Sequence, residues 1–398
     1  MNILIISQRF FPETFRINDI AKDLVKRGHK VTVLTGLPNY PSGNISERYC
    51  KFKNRKEYVA GVEIIRTYER GRKNGIIGLG LNYLSLAVSS SWKALFLKGN
   101  YDVIYVYQLS PVFVLLPARI MKFRKKIPVL IYCCDLWPES LKAYNIKEKN
   151  LLFQIIKKIC YFLYSGGDMI AVTSKTFIEY FHSIHHISIP IYYMPQHAEE
   201  SYLNMELSSS AGEEIQLLFC GNIGRVQDMP CALKAMKILN KNLKVHLHIV
   251  GDGSELEASK KMVKEFEIDD RVTFYGRYPL KDMPDFYKMA DACLLTLTGD
   301  NFIGATIPSK LQGYMAAGKM VLAAIDGAAK EIIEESHCGM QVAAGDYQGL
   351  ANIIEEFVLN RCNYASCGEA GRAYFKRNFT KDIFMKELLN QFEKLKET

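Results

Sequence analysis

Short apolar runs alternate with longer stretches of helical spacing along most of this 398-residue chain. In the first half, Asn2–Ser7, Lys30–Thr35, Val62–Thr67, Asp102–Tyr107, Val129–Cys134 and Met169–Thr173 are rich in β-branched and aromatic residues. Most are apolar at successive positions, as strands covered on both faces of a parallel sheet are. Asn18–Arg27 and Pro111–Lys125 fall between them with helical periodicity, and Gly28-His29 closes the first as a C-terminal glycine should. A polar, small-residue stretch from Gln196 to Glu214, with Ser208-Ser209-Ser210-Ala211-Gly212 inside it, breaks the pattern and reads as a linker. The alternation then restarts. Strands are expected at Gln216–Cys220, Val245–Val250, Val272–Tyr275, Ala292–Thr298 and Met320–Ile325, with helices at Pro230–Leu239, Glu255–Phe266 and Met283–Met289.

Two βαβ arrays predict an α/β protein of two doubly wound, Rossmann-like domains with an interdomain cleft, a common place for small-ligand sites. The expected divisions are 1–200, 201–378 and a terminal segment 379–398. In the last, Lys381–Leu395 alternates apolar and charged residues at helical spacing and could pack back on the first domain.

Composition narrows the class. Hydrophobic residues make up 48% and charged residues 23%, which excludes a disordered chain. Ten scattered cysteines form no C-x-x-C pair and no zinc pattern, so reduced thiols in a cytoplasmic protein are expected. Met1–Ser7 lacks a basic leader and reads as a first strand rather than a signal peptide. Ile76 to Trp92 comes closest to a membrane span. It carries Asn82 and four serines and reads as an amphipathic or buried helix. Residues 1–200 carry a net charge of +13 and residues 201–398 one of −4, which predicts different partners for the two halves.

Three glycine turns follow strands of the second half. Gly221-Asn222-Ile223-Gly224-Arg225 could bring backbone N–H groups to an anion at a helix start, with Arg225 adding a charge-assisted bond. Gly251-Asp252-Gly253-Ser254 follows the next strand, with Ser254 in a capping position, and Gly276-Arg277-Tyr278 the one after. All three would reach the sheet edge where open α/β folds bind ligands. In Thr306-Ile307-Pro308-Ser309-Lys310, Pro308 fits a helix start with Ser309 and Lys310 in the first turn. A lysine there opposes the helix dipole unless an anion is present, so Lys310 is a diphosphate candidate, with a solvated lysine as the alternative. Met315-Ala316-Ala317-Gly318 is small and fits close packing on the sheet.

The order Gly-Asn-Ile-Gly, Val-Gly-Asp-Gly, Val-Thr-Phe-Tyr-Gly and Pro-Ser-Lys-Leu…Tyr-Met-Ala-Ala-Gly resembles the large retaining family (family four type) of GT-B glycosyltransferases. Ala21 to Thr35 is similar to that family's first helix and second strand. The resemblance covers nearly the whole chain. It implies a UDP-sugar donor on the second domain, an acceptor on the first, retention at the anomeric carbon, and neither metal nor other cofactor. By position, Gly221, Asn222, Gly224 and Arg225 would lie near the diphosphate. Gly251 and Asp252 would lie near the donor, Arg277 and Tyr278 near the base, and Ile307, Ser309 and Lys310 near the nucleotide and its phosphates. Two glutamates frequent in the family are replaced, by Ala305 and Gly313. An Arg and a Lys of the early turn are replaced by Asn222 and Gln227.

In the first half, Asp135 ends an apolar strand and could handle a proton or bind sugar hydroxyls, or else cap the next helix; Trp137 reads as packing. Glu13 and Arg16 follow the first strand and are candidates for acceptor chemistry or a salt bridge. His29 reads as a helix-end residue. Basic and apolar residues mix in Pro117–Lys126 and around Gly71–Trp92, which could rest on an anionic membrane surface or be a solvated face. No nucleic-acid module accompanies the charge. The combined expectation is a cytoplasmic enzyme, peripheral on the inner face of the membrane, that transfers sugar to a lipid-linked glycan. Wording around Tyr193–Glu199 and Ile307–Lys310 looks like the bacterial surface-polysaccharide branch, including N-acetyl-L-fucosamine transferases. The alternatives are a nucleotide-sugar epimerase of the same shape and a binding scaffold without catalysis.

Overall fold

The computed structural model describes residues 1–72, 75–144, 146–206, 212–299 and 306–397. Ser208 to Ala211 of the expected linker, and Ala305, lie outside them. Two compact units emerge, Met1–Met194 with Met385–Thr398, and Pro195–Phe384. The division therefore precedes the polar stretch at Gln196 rather than falling at residue 200. Ala198 N–H donates to Phe379 O at 3.0 Å and Gln312 Nε2 to Gln196 O at 2.9 Å, which ties the start of that stretch into the second unit.

In the first unit the strands are β1 (Asn2–Ile6), β2 (Lys30–Thr35), β3 (Lys56–Val59), β4 (Val62–Arg66), β5 (Val103–Gln108), β6 (Val129–Cys133), β7 (Met169–Val172) and β8 (Ile191–Tyr193). Their order in the sheet is β3-β4-β2-β1-β5-β6-β7-β8, all parallel except the β3–β4 pair. β1, β5, β6 and β7 are buried along nearly their whole length, the two-sided cover that continuous apolar runs predict. Edge strands β3 and β8 escape that signal because neither is fully buried at any position.

The second unit holds β9 (Ile215–Cys220), β10 (Val245–Val250), β11 (Val272–Gly276), β12 (Ala292–Thr296), β13 (Met320–Ala324) and β14 (Gly339–Val342). They are parallel, in the order β11-β10-β9-β12-β13-β14. This is the dinucleotide-fold order, whose direction of winding reverses between β9 and β12.

Helix Arg16–Lys26 ends as its glycine requires. Gly28 has φ +86°, and its N–H reaches Val25 O at 2.9 Å while His29 N–H reaches Leu24 O at 3.1 Å. Helix Ile76–Phe96 buries Leu79, Asn82, Tyr83 and Leu86. Its opposite face exposes Ile77, Leu84, Val88, Trp92 and Phe96. It is apolar on both sides, not amphipathic. Among the described residues no helix is long and apolar enough to cross a membrane.

The terminal helix Lys381–Glu397 supplies Phe392 to the core of the first unit. Its ring is fully buried and meets Tyr105 edge-on at 5.6 Å. Phe392→Ala should destabilise the first unit by about 3–5 kcal/mol, the cost of a large cavity, and urea unfolding followed by tyrosine fluorescence measures it.

Candidate functional site

The carboxyl edge of the second sheet is built by close backbone contact. After β9 the chain turns at Gly221, φ +128°, and after β10 at Gly251, φ +155°. A Cβ at position 251 would lie 1.8 Å from the Gly221 carbonyl oxygen, and one at 221 would lie 2.5 Å from Lys310 Cε. Only glycine allows these two turns and the lysine stem to pack in this way. Gly221 N–H donates to Val250 O at 2.8 Å, Ile223 N–H to Asp252 O at 2.9 Å, and Glu255 N–H to Ile223 O at 3.0 Å, so the turns are stitched together.

Helix Ser309–Ala316 begins directly after Pro308, as expected. Its first N–H groups lack intrahelical acceptors by geometry. Lys310 reaches back across the turn, donating from Nζ to Asn222 O at 3.1 Å, with Nζ 4.1 Å from the centre of the Phe219 ring. Burial of the ammonium lowers its pKa to about 8. The C-terminal half of the helix is held on two sides. Tyr314 Oη accepts from Cys220 N–H and donates to Leu294 O, each at 3.2 Å, bridging β9 and β12 where the winding reverses. Arg372, buried, donates to Ala316 O, Ala317 O and Met205 O, satisfying carbonyls that the helix end leaves open.

The structure thus brings Gly221, Asn222, Gly224, Gly251, Asp252 and Lys310 together. Several other expectations change. Asn222 and Gln227 bond each other, Nδ2 to Oε1 at 3.1 Å, and Gly224 N–H takes the same oxygen at 3.1 Å. Asn222 and Gln227 thus form a neutral amide clamp in the turn. The turn does not run straight into a helix: a short 3-10 turn, Arg225–Gln227, intervenes before helix Met229–Ile238. Arg225 is exposed on it. Ser254 is not a cap, since Glu255 occupies that position and makes no side-chain capping bond. Ser309 is exposed at the helix start and Ile307 packs partly buried against the core. Arg277 and Tyr278 follow β11, two strands out from β9, and both are exposed; the Tyr278 ring lies 4.9 Å from Phe286. At Gly313 a Cβ would sit 3.3 Å from the Tyr287 hydroxyl, so this position is packed rather than open.

In the first unit, Asp135 follows β6 and caps no helix. Its Oδ2 accepts from both Ser110 N–H and Ser110 Oγ at 2.9 Å, and Trp137 Nε1 donates to the same Ser110 oxygen at 3.0 Å. Burial pushes the Asp135 carboxyl above the usual carboxylate range, and the Ser110 bonds partly offset this. Glu13 Oε1 accepts from Asn39 N–H at 2.8 Å and Tyr40 N–H at 2.6 Å, and Arg9 Nη1 lies 3.3 Å away. The geometry makes Glu13 a buried clamp between the loops after β1 and β2, with Arg9 rather than Arg16 as its described ion partner. Arg9 also approaches Glu69 at 3.6 Å. Glu69 Oε1 accepts from Gln8 Nε2 and Asn82 Nδ2, each at 2.9 Å, and burial raises its pKa. Sequence reading missed Arg9 and Glu69. The signal was a charged residue just past the carboxyl end of an apolar strand.

Gly251→Ala should destabilise the second unit by about 1–3 kcal/mol, because the new methyl group overlaps a backbone carbonyl. A denaturation midpoint equal to that of the unaltered protein would show that the two turns are not in contact.

Comparison with known proteins agrees with this architecture. Residues 15–195 match the model of Glycosyltransferase Family 4, and residues 204–374 that of Glycosyl transferases group 1. The GDP-mannose-dependent alpha-(1-6)-phosphatidylinositol monomannoside mannosyltransferase of Mycobacterium tuberculosis is 27% identical over 146 residues, 36% of this chain and 37% of that protein. The match thus spans little more than a third of that relative's length. Human alpha-1,3/1,6-mannosyltransferase ALG2 is 26% identical over 322 residues, 74% of each chain. Among solved structures, Anabaena HepE in complex with UDP superposes with a TM-score of 0.71 at 16% identity, covering 99% of this chain and 100% of that one. With one glycosyltransferase model on each unit and the GT-B fold in its solved neighbours, the chain belongs to the GT-B glycosyltransferase superfamily of group 1 and family 4.

Proposed function

We propose that this chain is a retaining glycosyltransferase that moves a sugar from a UDP-sugar to a lipid-linked glycan in bacterial surface-polysaccharide synthesis. The observation that carries the reading is Lys310. Its ammonium is desolvated over Phe219 at a helix start, beside stacked glycine turns, with a backbone carbonyl as its described hydrogen-bond acceptor. A half-buried cation that has lost part of its water gains from an anion that completes it. A nucleotide diphosphate supplies that anion.

In the proposed reaction the donor's diphosphate lies against the Gly221 turn and the N–H groups of helix Ser309–Ala316. Arg225, Gly251, Asp252, Ile307 and Ser309 complete the donor side, and Arg277 and Tyr278 face the base. As the sugar–phosphate bond breaks, charge grows on the leaving diphosphate. Preorganised N–H groups and Lys310 stabilise it without a metal ion, most strongly where charge is greatest. Asp135, with its raised pKa, is the proposed group for the acceptor hydroxyl or its proton; Glu13 holds the loops around it. The UDP preference draws on the UDP-bound neighbour. The mycobacterial relative is named as GDP-mannose-dependent, so the base is the first thing to test. The donor sugar is proposed as an N-acetylated deoxysugar from the sequence resemblance. The exposed face of helix Ile76–Phe96 and the net charge of +13 on residues 1–200 support a peripheral position on the inner membrane face.

The test is a panel of UDP- and GDP-sugars, including UDP-N-acetyl-L-fucosamine, with and without a lipid-diphosphate-linked sugar. UDP release only with acceptor, and an unchanged anomeric configuration in the product, is the expected result. GDP-sugar turnover would overturn the base assignment, epimer without acceptor would make the protein an epimerase, and binding without turnover would make it a scaffold. Asp135→Asn should lower kcat by about a hundredfold or more while leaving UDP affinity within twofold.

Lys310 also fixes a pH dependence. Its pKa of about 8 in the free protein rises when a diphosphate binds, so binding takes up a proton once the amine has titrated. Affinity for UDP is then full below pH 8 and falls as pH rises above it, by up to about tenfold per unit. Lys310→Ala should bind UDP roughly tenfold or more weakly at pH 7 and show no such decline up to pH 9, by calorimetry.

A further inference from the structure

The first unit contains a second basic feature, at the edge of its sheet opposite the strand ends considered above. A cavity of about 770 Å³ opens where β5, β6 and β7 begin, and the end of the terminal helix borders it. Strands of five or six residues separate the two edges by about 17–20 Å. Its size is that of a small-ligand site.

The cavity's charges are unbalanced. Arg119, Lys122, Lys125, Lys126 and Lys396 line it against two carboxylates, Asp102 and Asp168. Both carboxylates are engaged by strand starts: Asp102 Oδ2 accepts from Asn2 N–H at 2.6 Å, and Asp168 Oδ2 from Val129 N–H at 2.9 Å. Asp168 also holds Lys122 at 2.7 Å. Lys125 donates to Gly99 O and Arg119 to Phe162 O, both neutral acceptors, and Lys396 lies 3.5 Å from Glu393. The balance of charge facing the cavity is positive.

One exposed aromatic ring lines it and others lie on the neighbouring helices. Phe123, on the same helix as Lys122 and Lys125, is 81% exposed. Arg119 lies 3.9 Å over the Phe162 ring, itself 50% exposed. Arg124 Nη1 donates to Ala94 O at 2.9 Å, which joins this helix to the one exposing Trp92 and Phe96. A soluble anion needs no such exposed rings. A phospholipid offers both a phosphate for the cations and a bilayer interface for the rings.

We propose that this cavity binds the phosphate headgroup of an anionic phospholipid in a bilayer, with Phe123, Phe162, Trp92 and Phe96 entering the interface around it. The proposal rests on the peripheral-membrane reading and adds to it a defined lipid site, at the sheet edge of the first unit opposite the one that carries Asp135. Lys396 brings the terminal helix into that site.

Flotation with vesicles of phosphatidylcholine, with and without about one third phosphatidylglycerol, tests it. The unaltered protein should float only with the anionic vesicles. Lys125→Gln, Lys126→Gln and Lys396→Gln should each weaken binding about fivefold, and the three together on the order of a hundredfold. Transfer to a detergent-soluble acceptor should be unaffected by all three. A control of equal charge change, Lys51→Gln with Lys53→Gln and Lys281→Gln, should weaken binding less than threefold, since these exposed lysines lie outside the cavity. Equal losses in the two triple variants would overturn the site and leave a diffuse electrostatic attraction. No flotation of the unaltered protein would overturn the membrane reading itself.

Discussion

The contact on which the second unit's site depends is between two backbones. At position 251 there is room for a hydrogen atom and no more, because the Gly221 carbonyl oxygen stands 1.8 Å from where a Cβ would be. That approach locks the turn after β9 onto the turn after β10. It fixes where Asn222 O points, and Asn222 O receives Lys310 Nζ. Tyr314 adds the other restraint, bridging β9 and β12 from the same helix that carries Lys310. A glycine pair and a tyrosine hydroxyl therefore set the position of a charge.

The energetic consequence is a poised cation. Lys310 has lost much of its water, leans on an aromatic face and bonds a neutral carbonyl, which together do not restore what hydration provided. Within Gly221–Gln227 there is no carboxylate, and the amides of Asn222 and Gln227 bond each other. An anion entering there meets positive charge already in place, with little reorganisation, and that is the property electrostatic catalysis requires.

The first unit meets a different problem at its carboxyl edge, where charged residues are buried with one another. Arg9 stands between Glu13 and Glu69, and each carboxylate is further bonded by backbone or amide groups. Removing Arg9 would leave two buried carboxylates without the cation they share, so Arg9 is the keystone of a cluster that holds the loops after β1, β2 and β4. The Asp135 carboxyl is bonded in the described structure by Ser110 alone, and burial raises its pKa. The two acidic candidates thus separate by environment: Glu13 clamps two loops through their backbone N–H groups, and Asp135 is bonded to a single serine.

The alternation of buried strands and helices, the glycine turns and the helix start at Pro308 are legible in the chain alone, because each is a local matter of apolar periodicity or backbone freedom. It also displayed Lys310 as an oddity at a helix N-terminus. Edge strands β3, β8 and β14 were illegible, since a strand covered on one side or briefly has no continuous apolar run. What only the tertiary structure decided was pairing across distance. Gln227 to Asn222, Arg372 to the end of helix Ser309–Ala316, Arg9 to Glu69 and Lys396 to the cavity of the first unit join residues whose separation in sequence carries no periodic signal. Hydrophobic pattern reports which face of an element is buried; it does not report which polar atom on another element will satisfy it.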